Sequence, residues 1–229
     1  MALIEHTKGR RAKQSPSGYT RLFGIAELGN LMSRVQGALI SAGTELEKLI
    51  WARVRQIDDL DKFIEETRGQ TDKTGYWVAC KKQVKESQII SSKYEPDFLA
   101  FDVTNRICYP LEVKDGDQFD TKKASGEHTT LHNFSTDVAN TLPFSVKIYL
   151  CAFNARTRDE IFLGLKGKFG KDQLLTGKEF CDLFSIDFDE INRIRTSDHQ
   201  SNLDYFTNAF LAIPEIKNMV LKRLKLPKS

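Results

Sequence analysis

Two apolar stretches, Asp97–Val103 (DFLAFDV) and Ile107–Lys114 (ICYPLEVK), are separated only by Thr104-Asn105-Arg106. A connection this short forces the strands to fold back on one another as a β-hairpin. Side chains alternate faces along a strand, so Glu112 and Lys114 share a face and Val113 points the other way. If the tight loop is Asn105-Arg106, Thr104 pairs with Ile107 and Asp97 falls opposite Lys114. Asp97, Glu112 and Lys114 then converge on one face. A loop with an odd number of residues would place Asp97 opposite Val113 and scatter the cluster. Pro110 lacks an N–H and argues for an edge strand or a bulge.

The surroundings of the hairpin predict an α/β protein. A helix is expected at about 25–40. A second starts at Gly43-Thr44, where Thr44 and Glu47 have capping-box spacing. Leu46, Ile50, Val54, Ile57 and Ile64 continue it to a stop before Gly69. Tyr76–Cys80 reads as a strand, 127–141 as a helix and Val146–Phe153 as the most apolar strand of the chain. This order predicts a mixed central β-sheet flanked by helices. Residues 1–20 read as a flexible arm, 44–153 as an α/β core and 155–229 as a mainly helical appendage. The appendage is expected to hold helices at 176–184, 187–196 and 200–224, the last interrupted by Pro214. The whole is read as one domain.

Composition narrows the class. The chain has 229 residues, enough for a sizeable core, and a net charge of only +3. Basic residues nevertheless cluster at Lys8–Lys13, Lys166–Lys171 and Lys217–Lys228, as solvated faces or as a phosphate-binding surface. Cys80, Cys108, Cys151 and Cys181 form no C-x-x-C pair, so a cysteine-built zinc site is not expected. No apolar run reaches the ~20 residues of a membrane helix, and no secretory signal is visible. The expectation is a cytoplasmic protein with no membrane partner.

Two carboxylates brought together repel, and need a cation or a shared proton. Mg²⁺ suits them, being hard, oxygen-seeking and content with one or two carboxylates plus water and phosphate. Two acids, a lysine and such an ion are sufficient parts to hydrolyse a phosphodiester. Pro96-Asp97, fourteen intervening residues and then Glu112-Val113-Lys114 resembles the signature of the PD-(D/E)xK nucleases. The likeness covers about half the chain, and the order of helix, three strands, helix and strand matches the restriction-endonuclease-like core. Without a P-loop motif anywhere, the chain most resembles a type II restriction endonuclease.

The resemblance implies that Asp97 and Glu112 bind Mg²⁺, that the Val113 carbonyl is a further ligand and that Lys114 assists the attacking water. It implies a further glutamate four residues after a glycine, a spacing met by Gly43 and Glu47. Glu45 is the rival, and a plain capping role for Glu47 stands beside the catalytic one. It also implies double-stranded DNA as substrate and a homodimer, because a two-fold duplex site is matched by two-fold protein symmetry. The polar stretch after Lys114 offers Gln118 for a base edge and Lys122 and Lys123 for phosphates. His128 and His132, four apart, read as a phosphate contact or plain surface rather than a metal pair. A repair, recombination or mobile-element nuclease of the same fold is the enzymatic alternative. A non-catalytic DNA-binding module is the other.

Overall fold

The computed structural model describes residues 2–8, 17–116 and 121–224. In chain order the elements are α1 (Gly18–Phe23), α2 (Ala26–Trp51), α3 (Leu60–Glu66), β1 (Tyr76–Cys80), α4 (Lys81–Glu86), β2 (Phe98–Asp102), β3 (Ile107–Lys114), α5 (Thr121–Val138), β4 (Ser145–Val146), β5 (Tyr149–Ala152), α6 (Arg158–Gly164), β6 (Leu174–Thr176), α7 (Gly177–Leu183), α8 (Phe188–Thr196), α9 (His199–Ala212) and α10 (Pro214–Leu224). The described residues form two compact units, one from Met1–Leu46 with Asp189–Ser229 and one from Glu47–Phe188.

The first unit is helical. Leu28, Ile213 and Ile216 form its buried cluster, with Ile25, Met32, Phe210 and Val220 packed on it. The N-terminal segment is tied in at Ile4, whose N–H donates to Asn202 Oδ1 at 2.9 Å.

The second unit holds a six-stranded sheet in the order β1-β2-β3-β5-β6, with β4 also on β3. β1, β2 and β3 run antiparallel, while β4 and β5 join β3, and β6 joins β5, in parallel. The predicted mixed sheet flanked by helices, with helices at the C-terminal end, is thus the fold. α3 and α5 cover the sheet through Phe63, Ile64, Phe134 and Val138, packed on Leu99, Phe101 and Cys108. A second cluster continues the core with Ala124, Leu131, Leu150, Ala152, Ile161 and Leu174.

Three expectations change in detail. First, the helix break near Gly43 does not occur, and α2 runs unbroken to Trp51. A glycine in a helix interior costs only about 1 kcal/mol, and burial of Leu46 and Ile50 outweighs it. Thr44 and Glu47 therefore lie inside the helix and form no capping box. The chain breaks after Trp51 instead, where the segment before α3 bridges to β1 through Ile57 N–H to Val78 O at 2.8 Å. Asp59 then caps α3 by accepting from Lys62 N–H at 3.0 Å.

Second, the hairpin loop has four residues, Val103–Arg106, so that Asp102 pairs with Ile107 and Phe98 with Leu111. The buried Asp102 carboxylate sets this length. It accepts from Asn105 N–H at 3.0 Å and Asn105 Nδ2 at 2.7 Å, and Arg106 closes the loop in the left-handed region at φ 57°. The loop keeps even parity, so the face assignment survives, but Asp97 extends the ladder opposite Glu112 instead of Lys114.

Third, Pro110 sits in the central strand. Its absent N–H faces β4 and β5, where residues 147–148 interrupt the pairing between Cys108↔Val146 and Leu111↔Tyr149. The ladder lapses there and resumes in the same register, so the proline is tolerated without an edge position. The strand expected at 146–153 is divided at the same point. β6 was not anticipated by the sequence reading, being only three residues long.

Phe101 is the keystone of this core, fully buried with its ring 5.2 Å from Phe63 and 5.1 Å from Phe144. Phe101→Ala is expected to lower the unfolding free energy by about 3–5 kcal/mol. Urea denaturation should show a lower midpoint with an unchanged slope.

Candidate active site

Asp97 stands one residue before β2, where the backbone ladder of the hairpin has already ended. Its side chain carries the pairing one step further, Oδ2 accepting from Val113 N–H at 3.0 Å. Its carbonyl accepts from Lys81 N–H at 3.1 Å, which ties the same residue to the start of α4. Both ends of Asp97 are therefore fixed, and the residue is 8% exposed. The N–H and C=O of a strand residue point to the same side. The Val113 carbonyl is thus also directed past the start of β2, toward Asp97.

Glu112 lies beside this carboxylate and is 7% exposed. Burial, and then the charge of Asp97, push its carboxyl up to about 8, although Lys114 opposes the shift. Lys114 bonds directly to Glu112 and reaches Glu127 Oε1, on α5, at 3.2 Å. Burial pulls the lysine down, but Glu112, Asp97 and Glu127 together push it above its ordinary value. It stays an ammonium throughout the physiological range.

Glu47 joins the group from the last turns of α2. Its carboxyl is raised by burial and by Asp97, and drawn back by Lys114 and Lys81. The Trp51 ring, one turn further on, lies stacked at 6.5 Å on Phe98, the neighbour of Asp97. This contact fixes the end of α2 at the head of β2. Glu47 thus lies in the field of Asp97 and Lys114.

The structure thus brings together Asp97, Glu112, Val113, Lys114 and Glu47. It adds Glu127 and Lys81, which the sequence reading did not name. Glu127 had a signal: it interrupts the apolar stripe Ala124, Leu131, Phe134 and Val138 with a charge at helical spacing. Lys122 and Lys123 are exposed on the first turn of α5. Gln118 lies outside the described residues. The rings of His128 and His132 stack at 5.9 Å, and His128 is pushed toward its neutral form by burial, His132 and Lys168.

Among the described residues, no three His, Cys, Asp or Glu side chains gather closely enough to hold a metal on their own. What the cluster offers is two neighbouring carboxylates and a main-chain carbonyl. Oxygen donors of this kind fit a hard divalent ion that fills its shell with water and phosphate.

A curated relative, the type II restriction enzyme HhaII of Haemophilus parahaemolyticus, is 42% identical over 227 residues, 97% of this chain and 99% of the relative. The chain belongs to the type II restriction enzymes and is a DNA endonuclease of a restriction system. No family model matches, and no solved structure matches. No helix among the described residues is long and apolar enough to cross a membrane.

The Glu112 carboxyl makes stability depend on pH. It ionises near 4.5 when unfolded and at about 8 in the fold, so the fold prefers it protonated. Its contribution is complete below pH 4.5 and is lost as the pH rises through about 8. In metal-free protein, urea unfolding at about pH 5 and about pH 8.5 should show a loss on the order of 1–3 kcal/mol that Glu112→Gln abolishes. An equal loss in the variant would assign the effect to another group.

Proposed function

We propose that this restriction endonuclease is a PD-(D/E)xK nuclease that hydrolyses phosphodiesters of double-stranded DNA at a specific sequence with Mg²⁺. The observation that carries the reading is the meeting of Asp97, Glu112 and Lys114 at the end of the β2–β3 hairpin. Asp97, Glu112 and the Val113 carbonyl are the residues that would hold the ion. Once bound, a divalent ion acidifies water and stabilises charge on phosphoryl oxygens.

The chain's own groups do the rest. The Val113 N–H fixes the rotation of the Asp97 carboxylate, so that its position does not depend on a flexible side chain. Glu112, whose carboxyl burial and Asp97 hold high, would be ionised more easily beside a bound cation, which would offset that repulsion. Lys114, held as an ammonium, orients the attacking water and donates to negative charge developing at the phosphate. Glu47 borders the same space from α2 and assists as a further acid. Lys122 and Lys123, exposed beyond the catalytic strand, serve as phosphate contacts, and Gln118 as a reader of a base edge.

We also infer a cytoplasmic homodimer, which would set one active site on each strand of a two-fold recognition sequence. Nearly all large exposed apolar side chains, among them Leu39, Ile40, Leu203, Met219 and Leu221, belong to the helical unit, whereas the sheet unit exposes Leu163 alone among the described residues. Such a surface favours association through the helices. Sedimentation should give twice the chain mass, and Ile40→Lys with Met219→Lys should shift it toward the monomer.

Digestion of a sequenced plasmid with Mg²⁺ should give ends at one short sequence. Asp97→Ala and Lys114→Ala should each slow cleavage by about 10²-fold or more while DNA is still bound. Cleavage by either variant at the wild-type rate would overturn the mechanism. A wild type that binds DNA and never cuts would favour a binding module.

A further inference from the structure

Glu127 occupies a position meant for an apolar side chain. Counting three, four, three and four residues along α5, it falls in line with Ala124, Leu131, Phe134 and Val138, all fully buried. A carboxylate in that stripe is costly unless something pairs with it. Its partner is Lys114, at 3.2 Å, with the two side chains 17% and 23% exposed.

Lys114 therefore has two acceptors on different elements. Glu112 is two residues away on the same strand, and Glu127 reaches it from the helix above. In the proposed reaction Glu112 would help hold the cation, and an oxygen committed to a divalent ion would be a poorer partner for a second positive charge. The lysine stem is long and has many rotamers, so the loss of one anchor would free the ammonium.

We propose that Glu127 is a positioning residue for Lys114, keeping the ammonium in the site while Glu112 serves the metal. This rests on the reading that Lys114 takes part in cleavage. The order of events follows from the two contacts. In the structure Lys114 bridges Glu112 and Glu127, and with Glu112 engaged by an ion Glu127 would be the contact that still restrains it.

The test is a double-mutant cycle in the full-length protein with Glu127→Gln, Lys114→Ala and both together. Glu127→Gln keeps the shape and removes the charge. It should lower kcat by about 10–100-fold. KM, metal-free DNA affinity and the Mg²⁺ concentration for half-maximal rate should stay as in the wild type. In the Lys114→Ala background the same change should cause no further loss. Urea unfolding of the metal-free proteins should show coupling between the two positions.

A Glu127→Gln enzyme with unchanged kcat would overturn the proposal, and so would equal losses in both backgrounds. A raised Mg²⁺ requirement would make Glu127 a ligand and overturn it too. Wild-type cleavage by Lys114→Ala alone would instead withdraw the reading on which the proposal stands.

Discussion

The contact on which the rest of the site depends is the hydrogen bond from Val113 N–H to Asp97 Oδ2. It replaces the backbone partner that β2 no longer supplies and locks a carboxylate to the strand carrying Glu112 and Lys114. Every other electrostatic feature follows from that placement. Asp97 is among the causes of the shifts at Glu112, Lys114 and Glu47. In an interior of low effective dielectric such groups cannot be treated one at a time.

The balance of charge explains why the cluster is compatible with a stable fold. Isolated carboxylates in a core are expensive, and removing a partner costs more than the pair contributes. Here the surplus of acids is met in two ways. Burial and Asp97 favour the protonated form of Glu112, and one ammonium is divided between Glu112 and Glu127. The buried side-chain nitrogen and oxygen atoms among the described residues all have hydrogen-bond partners. A fold can carry such a group because the surrounding apolar core, with Phe101, Phe134 and Leu131 at its centre, supplies the bulk of the stability.

Much of this was legible in the chain. Strand alternation alone placed Glu112 and Lys114 on one face, and Asp97 joined them on the condition of an even-residue loop, which the four-residue connection meets. What it could not give was the loop length, because that depends on Asp102 folding back onto Asn105, a side-chain contact with no period. The capping-box spacing of Thr44 and Glu47 misled for a related reason: burial of Leu46 and Ile50 overrode a local preference worth about 1 kcal/mol. That same continuity of α2 is what leaves the Glu47 carboxyl available to the site. Glu127 went unnamed because a charge within a helical stripe looks like noise until its partner is seen across the sheet.

Pro110 has a consequence for assembly of the site. β3 meets β4 and β5 across a gap, and the proline occupies the gap. If β3 slid by two residues along these neighbours, its side chains would keep their faces, so the hydrophobic pattern by itself would not resist the slip. The proline does resist, because the slide carries a residue without an N–H into a rung that needs one. It acts as the pawl of a ratchet, holding the strand at the single notch where Glu112 and Lys114 stop level with Leu150 and Ala152. The alignment of a charged cluster is thereby set by the one residue of the strand that cannot donate a hydrogen bond.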